Sequence, residues 1–392
     1  MSQRLSIFMH CQHLTGTGHF VRSFEIARAL AAGHDVTLID GGRPVPRHPA
    51  PGSLRLLELP RICRNRGELM ALDDCADISQ VMKQRLGALL NAVDDLHPDV
   101  LIIEHFPVSK WELEPEIVPL IRRAQAVNGD VKIICSLRDI VPHSRFDLSP
   151  EAHAERVLRT LHEHFDGLLV HADPRLTRIE DHLPWASEIE LPIRYTGYVS
   201  EKLESSASFA PQRETERSII VSTGGAGDGS LTRRCIEAWR SLANTGEHCC
   251  RRLIVFLPPF GQSAHSGQWN DLASIDGVEI RQFGPDFLRW MCAADLSISH
   301  AGYNTCANIL ESRVRAVVVP DAKMVDQVER ARILAARGWV HAVDADCATP
   351  EALAHAMQAA LAGERADHDV DLDGAECTRL LLETWPAAAA IA

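Results

Sequence analysis

Short apolar runs of four to six residues alternate with longer stretches of helical periodicity along almost the whole chain, and this limits most what it can fold into. Such runs lie at 5–10, 35–39, 54–59, 99–103, 132–137 and 167–170. Helical patterns at 20–32 and 78–96 lie between them. Apolar runs this short, without polar alternation and separated by helices, belong to a parallel sheet covered on both faces. Residues 199–217 break the rhythm, being polar, rich in Ser and Glu and interrupted by Pro211. Beyond them the runs resume at 218–222, 253–257, 278–283, 296–299 and 316–319. The 392 residues suffice for two domains. The predicted fold class is α/β, with two doubly wound domains at 1–200 and 218–374 and a linker at 201–217. A tail at 375–392 carries a helical pattern over 375–385 whose docking site is not legible.

Composition narrows the function. Apolar residues make up 46% of the chain, which excludes wholesale disorder. No apolar run approaches the roughly 18 residues of a membrane span. The run at 5–9 begins without a charged leader or cleavage site, so no signal peptide is expected. A net charge of −13 argues against nucleic acid as the main partner. The 11 cysteines include no Cys-x-x-Cys pair, as in a reduced, cytoplasmic protein. His162 and His164 diverge on a helix, and ligand spacings for a metal are missing, so no metal is expected.

In open parallel sheets ligands bind beyond the carboxyl ends of the strands, so chemistry is sought in the loops that follow them. Gly16-Thr17-Gly18-His19 follows the first strand; its glycines admit a ligand to the backbone, and a helix dipole at His19 favours a neutral ring able to accept a proton. A helix start with a solvent-facing His fits equally. Glu104 ends the strand at 99–103, where its carboxylate would either orient that imidazole or be satisfied by a neighbouring loop. Ser222-Thr223-Gly224-Gly225-Ala226-Gly227 is a Gly-rich turn suited to a diphosphate, without the Lys-Ser/Thr ending of a nucleoside triphosphatase. Residues 299–305 bring His300, Gly302, Asn304 and Thr305 to another helix start, and Asp326-Gln327 open the helix after the strand at 316–319. No Asp-x-Asp metal motif is expected in the chain.

The stretch 299–332, SHAGYNTCANILESRVRAVVVPDAKMVDQVERAR, resembles the donor-binding signature of GT-B glycosyltransferases, nearest to family 28. The phrases QHLTGTGHFVRS, PDVLIIEHFP, CSLRDIV, VHADP and YTGYV are similar to a family of predicted bacterial glycosyltransferases. The resemblance implies two Rossmann-like domains facing across a cleft. It implies donor diphosphate contacts from His300, Gly302, Asn304 and Thr305, helped by Gly224 and Gly225. The backbone near Phe283 would hold the nucleobase, and Asp326 and Gln327 the sugar hydroxyls. His19 falls at the general-base position of inverting relatives, and Glu104 where an orienting carboxylate sits. Asn308 occupies the position of a ribose-gripping Glu, with Glu311 one turn on as a substitute.

The function implied is metal-independent, inverting transfer of a sugar from a nucleotide diphosphate sugar, with uridine diphosphate the expected nucleotide and no cofactor besides that co-substrate. The acceptor is a hydroxyl or amine on a small molecule, a glycan or a lipid-linked molecule. Two alternatives stand beside it. A UDP-sugar hydrolase of the same fold shares the Gly-x-Gly-His-x-x-Arg start, here Gly16, Gly18, His19 and Arg22, and a non-catalytic nucleotide-sugar binding protein would suit Asn308. Arg43, Arg47, Arg61, Arg64 and Arg66 form either a basic rim, for an anionic acceptor or peripheral membrane contact, or ordinary solvated surface.

Overall fold

A computed structural model describes residues 4–65, 67–72, 77–140, 148–203, 217–224, 229–245, 250–257 and 269–385. The chain divides into two compact units. One comprises Met1–Pro44, Pro49–Val199 and Asp371–Ala392, the other Val45–His48 and Ser200–Val370.

The first unit holds strands β1 (Ser6–His10), β2 (Asp35–Asp40), β3 (Leu54–Glu58), β4 (Ile62–Asn65), β5 (Glu68–Ala71), β6 (Val100–Glu104), β7 (Lys132–Arg138), β8 (Gly167–His171) and β9 (Ile193–Tyr195). Seven of them form one sheet in the order β3-β2-β1-β6-β7-β8-β9, all parallel. Helices α1 (Gly18–Leu30), α2 (Ile78–Leu96), α3 (Glu114–Val127) and α4 (Pro150–His164) connect them. The run VLIIE of β6 is buried at every position, which is why it reads as continuous apolar sequence. The strand order reverses between β1 and β6, where His10 pairs in register with Ile103, and the loops leaving these two strands part there.

The second unit repeats the plan with β10 (Arg217–Ser222), β11 (Cys250–Leu257), β12 (Val278–Gln282), β13 (Leu296–Ser299), β14 (Arg315–Val318) and β15 (His341–Ala342). Their order is β12-β11-β10-β13-β14-β15, again parallel. Its helices are α5 (Ser230–Thr245), α6 (Asn270–Ala273), α7 (Phe287–Ala293), α8 (Tyr303–Ser312), α9 (Val325–Ala336) and α10 (Pro350–Ala362). Here the reversal lies between β10 and β13, with Ser222 opposite Ser299.

The final helix, α11 (Gly374–Glu383), returns to the first unit rather than standing as a separate tail. The Tyr198 N–H donates to Asp371 O at 2.8 Å, and the Gly374 N–H to Tyr198 O at 3.0 Å. Glu383 lies 3.4 Å from the buried His34 ring. The antiparallel hairpin β4–β5 lacks an apolar run, and β9 and β15 are only three and two residues long, so none of these four strands carries the pattern that exposes the others. Most of the expected linker, 204–216, lies outside the described residues.

The core of the first unit contains an ionic cluster as well as apolar side chains. Glu116 accepts from Arg85 Nε and Nη2, each at 2.9 Å, and lies 2.9 Å from His10 Nε2. Arg85 Nη2 also donates to Gln12 Oε1 at 2.8 Å, and Nη1 to Pro60 O at 2.9 Å. All four side chains are buried. Only glycine fits at Gly41, where a Cβ would lie 2.7 Å from Gln12 Oε1 and against the Arg85 guanidinium. Burial would raise the Glu116 carboxyl, but hydrogen bonds from His10 and Arg85 hold it down at about 2. Glu116→Gln leaves Arg85 a buried, uncompensated cation, and should cost about 3–5 kcal/mol at neutral pH, read from urea unfolding. Because the folded value lies below the reference of 4.5, this stabilisation is complete above about pH 4.5 and drains as pH falls through about 2. The gap between wild type and variant should therefore narrow in acid; a gap constant down to pH 2 would show that Glu116 is not the group responsible.

Candidate functional site

In the first unit the strand reversal brings the loop after β1 beside the end of β6. His19, in the first turn of α1, places Nδ1 2.5 Å from Glu104 Oε1. Arg22, one turn along α1, donates Nη2–H to the same oxygen, and Lys110 donates from Nζ to Oε2. Lys110 also donates to Gln12 O at 2.9 Å. His105 Nε2 lies 3.7 Å from Glu104 Oε1, and its ring meets that of His19 edge-on at 5.0 Å between centroids. Glu104, Arg22, His105 and Lys110 are all buried, whereas the His19 side chain keeps 25% of its surface exposed.

Burial would raise the Glu104 carboxyl, but the Lys110 cation and the hydrogen bond from His19 hold it well below the ordinary range, so it is ionised. The carboxylate can only accept, so the His19 nitrogen facing it is N–H. Nε2 then carries the lone pair, and among the described residues it has no protein partner. Burial pushes the His19 ring down to about 3 against the pull of Glu104, with Lys110 and Arg138 adding to the fall. The ring at neutral pH is therefore an oriented, neutral imidazole able to take a proton at Nε2. His19, Glu104 and His105 also bring three ligand atoms within 4.8 Å of one another. A cation there would meet Arg22 and Lys110 already on the carboxylate, so this donor set is poor for a metal.

In the second unit the carboxyl ends of β10 and β13 are neighbours, with Ser222 opposite Ser299. Gly224 has φ +73°, a left-handed conformation that a side chain would strain, and a Cβ there would face open space. Gly225 lies outside the described residues. His300 donates Nδ1–H to Val319 O at 2.6 Å, which fixes the ring on the end of β14. Gly302 caps α8, whose first hydrogen bond runs from the Cys306 N–H to Gly302 O at 2.9 Å. Amides ahead of that bond and the positive end of the helix dipole suit an anion. Asn304 and Thr305 are half-buried in the same first turn.

The other expected donor contacts are placed differently from one another. Asp326 is buried 3.4 Å from Arg330 Nη2, and Arg330 donates Nη1–H to Ala301 O at 2.6 Å. Gln327 is half-buried, its Oε1 taking the Asp321 N–H at 3.1 Å. Phe283 donates its N–H to Leu257 O at 3.2 Å and packs its ring against Phe287. Asn308 is buried on α8. Glu311 does not stand free to substitute for a carboxylate at that position, because Ser200 Oγ and Lys202 Nζ hold it at 2.9 and 2.8 Å. Gly16 and Thr17 precede α1, Gly18 opens it, and a Cβ on Gly16 would meet nothing.

The arginine rim is largely committed elsewhere. Arg61 donates to Gly42 O at 2.9 Å, Arg64 pairs with Glu112, Arg43 lies 3.8 Å from Cys63 Sγ, and Arg47 belongs to the second unit. Arg66 lies outside the described residues. Contrary to that expectation, Asp-x-Asp pairs do occur, at Asp344/Asp346 and along Asp367/Asp369/Asp371/Asp373; Asp371 Oδ1 takes the Asp373 N–H at 3.0 Å. Sequence reasoning missed Lys110, His105 and the cluster of His10, Gln12, Arg85 and Glu116. Arg85 left a readable trace, interrupting the buried stripe Val81, Leu89, Ala92 and Val93 of α2, as did Glu116 beside the buried Ile117 and Leu120 of α3.

Residues 250–369 match the glycosyltransferase family 28 C-terminal domain. No curated protein matches the sequence. Among solved structures the chain is similar to the glycosyltransferase of kitacinnamycin, at 18% identity over 97% of this chain and 96% of that one, with a TM-score of 0.59. It is similar to UGT2 of Phytolacca americana, solved with UDP-2-fluoroglucose and pterostilbene, at 14% identity over 98% and 95%, TM-score 0.59. It is also similar to MurG of Acinetobacter baumannii, at 15% identity over 96% and 95%, TM-score 0.52. The chain thus has the GT-B fold of these glycosyltransferases, and its second unit carries the match to the family 28 C-terminal domain.

Proposed function

We propose that the protein is an inverting glycosyltransferase that moves a sugar from a nucleotide diphosphate sugar to a hydroxyl or amine acceptor. The observation that carries this reading is the His19–Glu104 contact at 2.5 Å, which leaves a neutral imidazole whose Nε2 has no partner among the described residues, beyond the carboxyl ends of β1 and β6. Binding alone needs no such pair. The family 28 match over the second unit and the fold neighbours support glycosyl transfer as the reaction class.

In this mechanism Nε2 of His19 takes the acceptor proton as the acceptor oxygen or nitrogen attacks the anomeric carbon. The bond to the diphosphate breaks and its electron pair leaves with the nucleotide. Glu104 keeps Nδ1–H oriented and steadies the imidazolium as it forms. The second unit holds the leaving diphosphate at Gly224, His300 and the start of α8, where helix dipole and backbone amides stabilise the growing charge. The chemistry as drawn needs no metal. A uridine nucleotide is the proposed donor, in line with the UDP-sugar analogue bound by the Phytolacca americana structure. No helix among the described residues is long and apolar enough to cross a membrane, so a lipid-linked acceptor would be met at the membrane surface.

Three measurements test the reading. Uridine diphosphate at 100 times its dissociation constant should stabilise the fold by about 2.7 kcal/mol in a thermal-shift assay. A clearly larger shift with guanosine or thymidine diphosphate would reassign the nucleotide. His19→Ala should lower turnover roughly 100- to 10,000-fold with little change in donor affinity, and Glu104→Gln should cost less, since the ring remains. Parallel losses of affinity and rate would make His19 a ligand contact, and unchanged turnover would remove it as the base. Free sugar released at full rate without an acceptor would make the protein a hydrolase.

A further inference from the structure

An isolated carboxylate beside a histidine favours imidazolium, which as a resting state would leave no base. Glu104 is not isolated. Its Oε1 is shared by His19 and Arg22, and its Oε2 is taken by Lys110. Lys110 reaches that oxygen from a residue with φ +62°, its Nζ buried and fixed on the far side by Gln12 O at 2.9 Å. Gln12 is itself held by Arg85, which donates to its side-chain oxygen at 2.8 Å. Among the described residues the charged and titratable groups facing His19 are thus Glu104 on β6, Lys110 and His105 in the loop after it, Arg22 on its own helix, Arg138 at the end of β7, and Cys11 in the loop after β1, whose Sγ–H donates to His19 O at 3.4 Å. Glu104 meets two cations before His19 gains a proton.

We propose that Lys110 is a positioning residue which, with Arg22, takes up the charge of Glu104, so that the carboxylate orients the His19 ring without converting it to imidazolium at rest. A third positive charge in this buried pocket is disfavoured, in keeping with the low proton affinity of His19. The base is then ready at neutral pH, and the imidazolium forms only while the acceptor proton is moving. The proposal rests on the reading of His19 as the base.

The test follows the His19 ring by NMR in the full chain with neither donor nor acceptor, its signal assigned by its loss in His19→Gln. In wild type the ring should stay neutral down to about pH 5 or below. A midpoint at or above the ordinary 6.5 overturns the proposal without any variant. In Lys110→Met the midpoint should rise by about one pH unit or more, and the acid limb of the kcat profile should move with it. Lys110→Arg keeps the charge and should restore the low midpoint. A fall in kcat with an unmoved midpoint in Lys110→Met would mean that Lys110 merely closes its loop, and would overturn the proposal. Arg22→Gln removes the cation on Oε1 and serves the same comparison if Lys110→Met does not fold. Because the titration is read without substrates, a shifted midpoint in a protein that transfers no sugar sinks the transfer reading alone. An active transferase with an unmoved midpoint sinks this proposal alone.

Discussion

A carboxylate at the buried end of a central parallel strand is the constraint around which the first unit is arranged. Glu104 closes β6 where the sheet reverses direction, and it is almost completely out of water. An ionised group there is tolerable only if charge and hydrogen bonds replace the lost solvent. Arg22 and His19, three residues apart on α1, supply one side, and Lys110 the other. Meeting that requirement sets the rotation of α1 about its axis. The same turn that brings Arg22 inward brings the His19 ring to the rim, half-buried, with one nitrogen committed and the other open. The geometry used for chemistry is in this sense a by-product of neutralising a buried anion.

Both units use the same topological device for different ends. In each, the sheet reverses between its first strand and a later one, β1 and β6 in one and β10 and β13 in the other, and such a reversal leaves a gap beyond the carboxyl ends of the strands. The first unit fills the gap with formal charges. The second surrounds it with a left-handed glycine, a helix start and a histidine held by a backbone carbonyl. Backbone amides and dipoles hold an anion without a permanent counter-charge, which suits a group that must bind, gain charge and then leave.

The fold was legible because buried parallel strands leave unbroken apolar runs, and nearly every such run became a strand within a residue or two of its expected limits. What escaped was whatever is short or held by contacts from afar. The hairpin β4–β5 has four-residue strands with polar faces, β15 has two residues, and the docking of α11 depends on backbone contacts with Tyr198, about 170 residues earlier in the chain. The pairing of His19 with Glu104 could be anticipated because both lie at strand ends that a parallel sheet places on one rim. Lys110 could not, because its position follows from the backbone turn after β6, which no local pattern encodes. Arg85 and Glu116 left a trace that was readable in principle, a charged residue within the apolar stripe of an amphipathic helix, Arg85 beside Val81 and Leu89 and Glu116 beside Ile117 and Leu120. A charge in such a stripe needs an opposite partner on the helix packed against it, and α2 and α3 carry one each.

That pair also joins stability to the site. Hydrogen bonds run without a gap from Glu116 to Arg85, from Arg85 to the Gln12 side chain, from Lys110 to the Gln12 backbone, and from Lys110 to Glu104 and so to His19. Each cation on this path has an anion beside it, Arg85 on Glu116 and Lys110 on Glu104, with the neutral Gln12 between the two pairs, so no charge stands alone in the core. A buried network of this kind is stiff, because displacing one member leaves the next unsatisfied at a cost of one to several kcal/mol. Stiffness is what a base needs if its ring is to wait in one orientation for an acceptor. The helices that bury the core of the first unit and the side chains that aim His19 are therefore held by the same bonds.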